Sequence, residues 1–137
     1  MNSIDRARRR LAIAAAALAG FVDAAGFLSA SGYFVSFMSG NTTRLGVDLV
    51  IAPQTAIIPA ALIAGFVLGV FSGALLAAWA GAQRKAAVLG LVTALLTAAS
   101  AAQMAGATTT MLACLVLAMG VLNNTFQRDG EVSVGLT

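Results

Sequence analysis

Long apolar runs separated by short polar stretches dominate this chain. Residues 11–43 carry a single charge, Asp23, and residues 49–83 and 86–127 carry none. A helix rises about 1.5 Å per residue and the hydrocarbon core of a bilayer is about 30 Å thick, so roughly 20 apolar residues cross it. The last run is long enough for two crossings, with a turn at 106–110. The pattern therefore predicts an all-α polytopic membrane protein with four transmembrane helices, near residues 11–31, 56–81, 86–104 and 110–127.

Residues 33–52 are long enough to span a membrane but are unusually polar. Cationic residues in short loops mark the cytoplasmic side. With residues 6–10 inside, a segment that enters and leaves on the same face puts residues 84–85 and Arg128 inside as well, whereas a full crossing puts both outside. We therefore predict a re-entrant or interfacial helix at 33–52. Both termini, including a polar tail at 128–137, are predicted to be cytoplasmic.

Composition strengthens the membrane prediction and removes several classes of function. Of 137 residues, 60% are hydrophobic and 9% charged, whereas a globular domain carries about a quarter charged residues. The chain has no histidine and one cysteine, Cys114, which excludes His-ligated metal sites, Ser-His-Asp triads and an internal disulfide. A net charge of +3 with one Trp and one Tyr gives nucleic-acid binding little support. We expect one membrane domain with no enzyme activity, metal or cofactor.

Asp23 is the most informative single residue. A carboxylate inside a membrane span is costly unless it is neutral, paired or hydrated. Two interpretations stay open. Asp23 exchanges protons inside the membrane, or it has a purely structural place, either hydrated near the outer interface or as a hydrogen-bonding group that packs helices together.

The stretch from Ser39 to Arg44 is predicted to interrupt a helix. Ser39-Gly40-Asn41 breaks one helix, and Ser39 or Asn41 caps the next. Non-helical backbone at membrane depth is buried in protein or lines a cavity, and half-helix N-termini in such breaks meet anionic groups in transporters. Arg44 adds positive charge, with Asp48 one turn later as its expected partner. The alternative is an interfacial loop in which this pair is merely solvated.

Two further patterns concern packing and symmetry. Gly65, Gly69 and Gly73 recur every four residues in the second span, a spacing that lets two helix backbones approach closely. The elements at 20–23 and 120–123 align at an offset of 100 residues. An odd number of crossings separates them, so the chain is predicted to contain the first part of an inverted repeat, as in many secondary transporters.

Three elements carry a family resemblance: GFVDA at 20–24, SFMSGNTTRLG at 36–46 and MGVLNNTFQRDGEVSVGLT at 119–137. They resemble the YoaK-type family of bacterial inner-membrane proteins, which has no assigned biochemical function. The resemblance covers nearly the whole chain and implies a multi-pass protein of the inner membrane. Members of that family are longer and continue with a Met-Thr-Gly-Thr element and two spans. This difference implies either that the chain is a truncated member of the family or that two copies of it associate to rebuild the core.

The sequence thus predicts a transporter for an unidentified small solute, with a non-transporting scaffold or accessory subunit as the alternative. The lipid bilayer and the solute are the expected partners, and homo-oligomerisation stays open. The predicted solute-binding residues are Asp23, Ser39, Asn41, Thr42, Thr43, Arg44, Asn123 and Asn124.

Overall fold

The structure is a computed structural model that describes residues 3–126. Its five helices are α1 (Ser3–Ser29), α2 (Met38–Ile51), α3 (Ile57–Ala80), α4 (Arg84–Met104) and α5 (Thr108–Leu122). Two 3₁₀ turns, Gly81–Gln83 and Asn123–Phe126, follow α3 and α5. No strand occurs in the described residues, which confirms the all-α prediction. The predicted polar tail at 128–137 and Arg128 lie outside the described residues.

Three helical stretches within residues 3–126 are long and apolar enough to cross a membrane: Arg9–Ser29, Ile57–Met104 and Thr108–Thr125. The general prediction of membrane-spanning helices is confirmed to this extent. The middle stretch contains both α3 and α4, which are separated by the 3₁₀ turn Gly81–Gln83. Gly81, where this turn begins, has a positive φ of 51°. A side chain with a β-carbon adopts this left-handed conformation only with strain, so glycine suits the turn.

The core is built around α5, which packs against α1, α3 and α4. Three glycines of α3 face α5 at a four-residue spacing: Gly65 faces Val116, Gly69 faces Gly120, and Gly73 faces Asn124. Because the residue numbers of both helices rise together along the contact, α3 and α5 run in the same direction. Helix α4 connects them in the chain and packs beside the pair. A β-carbon on Gly69 would lie 2.5 Å from the carbonyl oxygen of Leu117. The two backbones are therefore in direct contact, which is how small residues stabilise helix pairs in lipid.

The chain turns back on itself after α1. Ser31 and Gly32 take positive φ values of 54° and 91°, and residues 33–37 are not helical. This returning segment, residues 33–37, runs back along α1. Val35 lies against Gly26, and the hydroxyl of Ser36 is 3.5 Å from the carbonyl oxygen of Ala19. Helix α2 therefore begins beside the middle of α1 rather than beyond its end.

The position of the helix break corrects the sequence prediction. Ser39, Gly40 and Asn41 form the first turn of α2, and the interruption comprises residues 30–37. Phe37 precedes the helix, and no side chain caps it. The expectation that Ser39 or Asn41 caps α2 is therefore wrong. Polar residues are common at helix starts, but here the buried side of α2 needs Asn41 for a different contact.

Candidate functional site

The carboxylate of Asp23 holds the returning segment against α1. Its Oδ1 accepts hydrogen bonds from the main-chain amides of Val35 and Ser36, both at 2.7 Å. Its Oδ2 accepts the hydroxyl of Ser36 at 2.7 Å. These amides have no helical partner, so the acid supplies the acceptor that the interrupted backbone lacks. Hydrogen bonds to a carboxylate are roughly twice as strong as those between neutral groups, so three of them fix the segment firmly.

Asn41 holds the same segment from the other side. Its Oδ1 accepts the amide of Phe34 at 2.9 Å, and its Nδ2 donates to the carbonyl oxygen of Phe34 at 2.7 Å. Asn41 has no solvent exposure. A side-chain amide can satisfy one residue's donor and acceptor together from two separate atoms, whereas an ionised carboxylate can only accept. Asp23 and Asn41 thus satisfy three consecutive main-chain amides of the returning segment.

Arg44 and Asp48 do not pair with each other in the structure. The Arg44 guanidinium donates two hydrogen bonds to the carbonyl oxygen of Gly32, at 3.1 and 2.9 Å. It also lies 5.5 Å from the ring centroid of Tyr33, within range of a cation–π interaction. Asp48 instead accepts the Tyr33 hydroxyl at 2.7 Å. The predicted Arg44–Asp48 pair is therefore wrong, because the break at residues 30–37 offers each group a partner of its own, Gly32 for Arg44 and Tyr33 for Asp48.

Three phenylalanine rings form an aromatic cluster beside the break. The ring centroids of Phe27 and Phe34 are 5.0 Å apart, and those of Phe34 and Phe37 are 5.3 Å apart. Gly40 lies beneath this cluster, since a β-carbon there would be 2.5 Å from the Phe37 ring and 2.8 Å from the Phe34 ring. The first turn of α2 is thus packed against aromatic rings rather than capped by a polar side chain.

The remaining predicted residues of this stretch face away from the break. Ser39, Thr42 and Thr43 are exposed. The two threonine hydroxyls donate to carbonyl oxygens of their own helix, at Met38 and Ser39. Their hydroxyl groups therefore have local partners, as is common for Ser and Thr in membrane helices. Of the dense polar set from Ser39 to Arg44, only Asn41 and Arg44 contact the returning segment.

Asn123 and Asn124 occupy a separate place at the end of α5. The Nδ2 of Asn124 donates to the carbonyl oxygen of Val70 on α3 at 2.9 Å. Asn123 is half-buried, and neither amide hydrogen-bonds to a described residue of the break. The structure therefore divides the predicted site into two: a break held by Asp23, Asn41 and Arg44, and a polar position at the end of α5.

Sequence reasoning did not select Tyr33, Ser36 or Gly32 as site residues. Each contacts a predicted residue through hydrogen bonds that span twelve or more positions of the chain. No helical or strand periodicity connects residues at such distances. The available signal was chemical, because Tyr33 is the only tyrosine and both Tyr33 and Ser36 belong to the polar segment that lies between apolar helices.

Comparison with known proteins gives a family and no activity. A family model described as "Protein of unknown function (DUF1275)" matches residues 11–137. The match extends over nearly the whole chain, as the sequence resemblance does, and it does not itself carry the YoaK name. The chain matches no curated protein and no solved structure.

Proposed function

This chain belongs to the DUF1275 family of proteins of unknown function, and we propose that it is an inner-membrane transporter that moves a small solute past the break between α1 and α2. One observation carries the proposal: Asp23 binds two main-chain amides and a hydroxyl of a non-helical segment that lies alongside the middle of an apolar helix. Interrupted backbone at such a depth is typical of transporters, where it lines the path of the solute.

The proposed topology has four crossings and one re-entrant segment. Helix α2 has 14 residues and is about 21 Å long at 1.5 Å per residue, which is too short to cross a core of about 30 Å. The returning segment and α2 run in opposite directions, since Tyr33 reaches Asp48 whereas Phe34 reaches Asn41. Both observations support entry and exit on the same face. The reversal at Gly81 supports separate crossings by α3 and α4.

The surface of the helices supports a lipid environment. Large apolar side chains point outward from the helices, among them Phe21, Leu28, Trp79 and Met104, which are 73%, 85%, 85% and 90% exposed. In water such a surface would favour aggregation, whereas in a bilayer it meets acyl chains at no cost. Trp79 lies five and six residues before Arg84 and Lys85, a combination that is common where a helix leaves the membrane. We place this end, together with both termini, on the cytoplasmic side.

Charge at the break suggests the class of solute. The first turn of α2 has no side-chain cap, and helix N-termini attract anions. The Arg44 guanidinium donates to the neutral carbonyl group of Gly32, so this hydrogen-bond partner brings no negative charge to offset it. We therefore propose a small anion as the solute, with Arg44 as its attracting charge. Asp23 serves as the positioning residue that fixes the returning segment, and with it the start of α2, against α1.

Flux through proteoliposomes tests the proposal. The purified chain is reconstituted, and uptake of radiolabelled chloride, phosphate and lactate is compared with uptake by empty liposomes. We expect uptake of at least one anion above the background of empty liposomes, and at least a tenfold lower rate for Arg44→Gln. Ser100→Ala is the matched control, because the Ser100 hydroxyl is exposed and donates only to its own helix.

The contrary result favours the scaffold interpretation. If no anion enters above background while the chain stays folded in the liposomes, the polar contacts of the break serve only to join helices. In that case Arg44→Gln would lower thermal stability without changing any flux.

A further inference from the structure

Two oxygen atoms at the end of α5, Asn124 Oδ1 and Thr125 Oγ1, are buried and have no hydrogen-bond partner among residues 3–126. Asn124 is 5% exposed and Thr125 is 3% exposed. Each belongs to the 3₁₀ turn that follows the helix. A buried polar atom without a partner has lost its hydration without compensation, so native proteins normally supply a partner in the form of protein, water or an ion.

The orientation of Asn124 is fixed by α3. Only its amide nitrogen can donate to the carbonyl oxygen of Val70, which lies 2.9 Å away. The same nitrogen lies over Gly73, where a β-carbon would approach it to 2.6 Å. A rotation that exchanged nitrogen and oxygen would bring two acceptors together. Oδ1 therefore remains an acceptor that needs a donor or a positive charge.

The surroundings of these two oxygen atoms favour a positively charged partner. The C-terminal end of a helix carries partial negative charge from its last carbonyl groups, and α5 ends at Leu122, directly before these residues. Both unpartnered atoms are oxygens of neutral side chains, whereas tightly held divalent ions usually take carboxylates. In secondary transporters, unwound backbone carbonyl groups and the C-terminal ends of half-helices coordinate Na⁺. The neutral side-chain oxygens of Asn124 and Thr125 beside the end of α5 offer the same kind of ligand.

We propose that a Na⁺ ion binds at the end of α5, with Asn124 Oδ1 and Thr125 Oγ1 among its ligands. A role for this Na⁺ in driving transport past the break rests on the proposed function. The binding of Na⁺ to the protein does not. Gly73 acquires a function from this arrangement, because its missing side chain leaves room for the Asn124 amide that orients the ligand oxygen.

Thermal unfolding of the full chain in detergent tests the binding. Tm is measured in increasing NaCl and, at equal ionic strength, in choline chloride. We expect Tm to rise by several degrees with NaCl and to stay constant in choline chloride, because a ligand that binds only the folded state stabilises it increasingly as its concentration rises. Thr125→Val should abolish the Na⁺-dependent rise, and Thr125→Ser, which keeps the hydroxyl, should retain it.

The matched control is Thr93→Val, since the Thr93 hydroxyl already donates to Leu89 at 2.9 Å. This variant should keep the full response to Na⁺. The proposal is overturned if the wild-type chain responds equally to both salts and Thr125→Val is more stable than wild type in each, because an empty site gains from losing an unpaired hydroxyl.

A direct measurement covers the case in which Thr125→Val does not fold. Wild-type protein should bind radiolabelled Na⁺, and excess unlabelled NaCl, but not choline chloride, should displace it. Absence of binding overturns the proposal. Na⁺ binding without anion flux would retain this inference and remove the transport function, and anion flux without Na⁺ binding would do the reverse.

Discussion

Asp23 and Ser36 are thirteen residues apart in the chain, yet both carboxylate oxygens of Asp23 bind Ser36. Oδ1 accepts its main-chain amide and Oδ2 accepts its hydroxyl, each at 2.7 Å. The first oxygen also accepts the amide of Val35. This relationship fixes how far the chain returns along α1 before α2 begins, and it makes the acid a structural requirement of the break as well as a candidate for function.

Removing the Asp23 carboxylate should therefore destabilise the protein more than removing the Ser36 hydroxyl. Hydrogen bonds to charged groups are worth about 1.5–3 kcal/mol each, so Asp23→Ala should cost about 3 kcal/mol or more and Ser36→Ala about half as much. Asp23→Asn, which keeps one carbonyl oxygen for the two amides, should lie between them. Thermal unfolding in detergent measures the order, and equal Tm values for the two alanine variants would contradict it.

The glycines of α3 and α4 should differ sharply in their tolerance of alanine. Gly69→Ala places a methyl group against the backbone of α5 and should cost about 2 kcal/mol, as overpacking typically does. Gly90 is exposed, and a β-carbon added to it would meet open space, with no atom of another element within 4 Å. Gly90→Ala should therefore be neutral or stabilise by up to about 1 kcal/mol through helix propensity. Comparison of the two Tm shifts checks the α3–α5 contact, and a similar loss for both would argue against it.

Asp48 should be energetically coupled to Tyr33 and not to Arg44. A double-mutant cycle with Tyr33→Phe and Asp48→Asn should give a coupling of about 1 kcal/mol or more, because the hydroxyl and carboxylate are in direct contact. The corresponding cycle with Arg44→Gln and Asp48→Asn should give less than about 0.5 kcal/mol. Free energies of unfolding from denaturant titration provide both values. A larger coupling in the second cycle would restore the ion pair that the helix spacing suggested.

The proposed topology places Gln54 and Lys85 on opposite sides of the membrane, with Lys85 in the cytoplasm. Single cysteines at these positions, in a chain that carries Cys114→Ser, can be labelled with a membrane-impermeant maleimide. Gln54→Cys should react in intact cells, and Lys85→Cys should react only after the cells are permeabilised. The reversed pattern would mean that α2 crosses the membrane, and the re-entrant assignment would then be abandoned.

Much of the helical framework follows from local sequence pattern. The predicted spans near 56–81 and 86–104 differ by at most two residues from the observed bounds of α3 and α4. The turn between α4 and α5 occurs beside Gly106, whose φ is 72°, at the start of the predicted 106–110 turn. These features depend on apolar length and on glycine, and both are properties of short stretches of chain.

The break shows where the local pattern stops being informative. Polarity at 39–44 correctly marked the neighbourhood of the interruption, but the non-helical residues are 30–37, and several of them are apolar. They leave the helix because Asp23 and Asn41 supply partners for their main-chain groups. Asp23 and Asn41 are between seven and thirteen residues away from the amides that they bind. Only the folded chain brings each of them next to these amides.

The sequence by itself determined that this is an all-helical chain with helices long and apolar enough for a membrane, because burial in lipid depends on the length and composition of each run. Only the tertiary structure decided which partners the polar residues take. Arg44 hydrogen-bonds to Gly32, Asp48 accepts the hydroxyl of Tyr33, and the three glycines of α3 pack against α5. Hydrogen bonds and close packing depend on distances in space, and these distances exist only after the chain has turned back on itself.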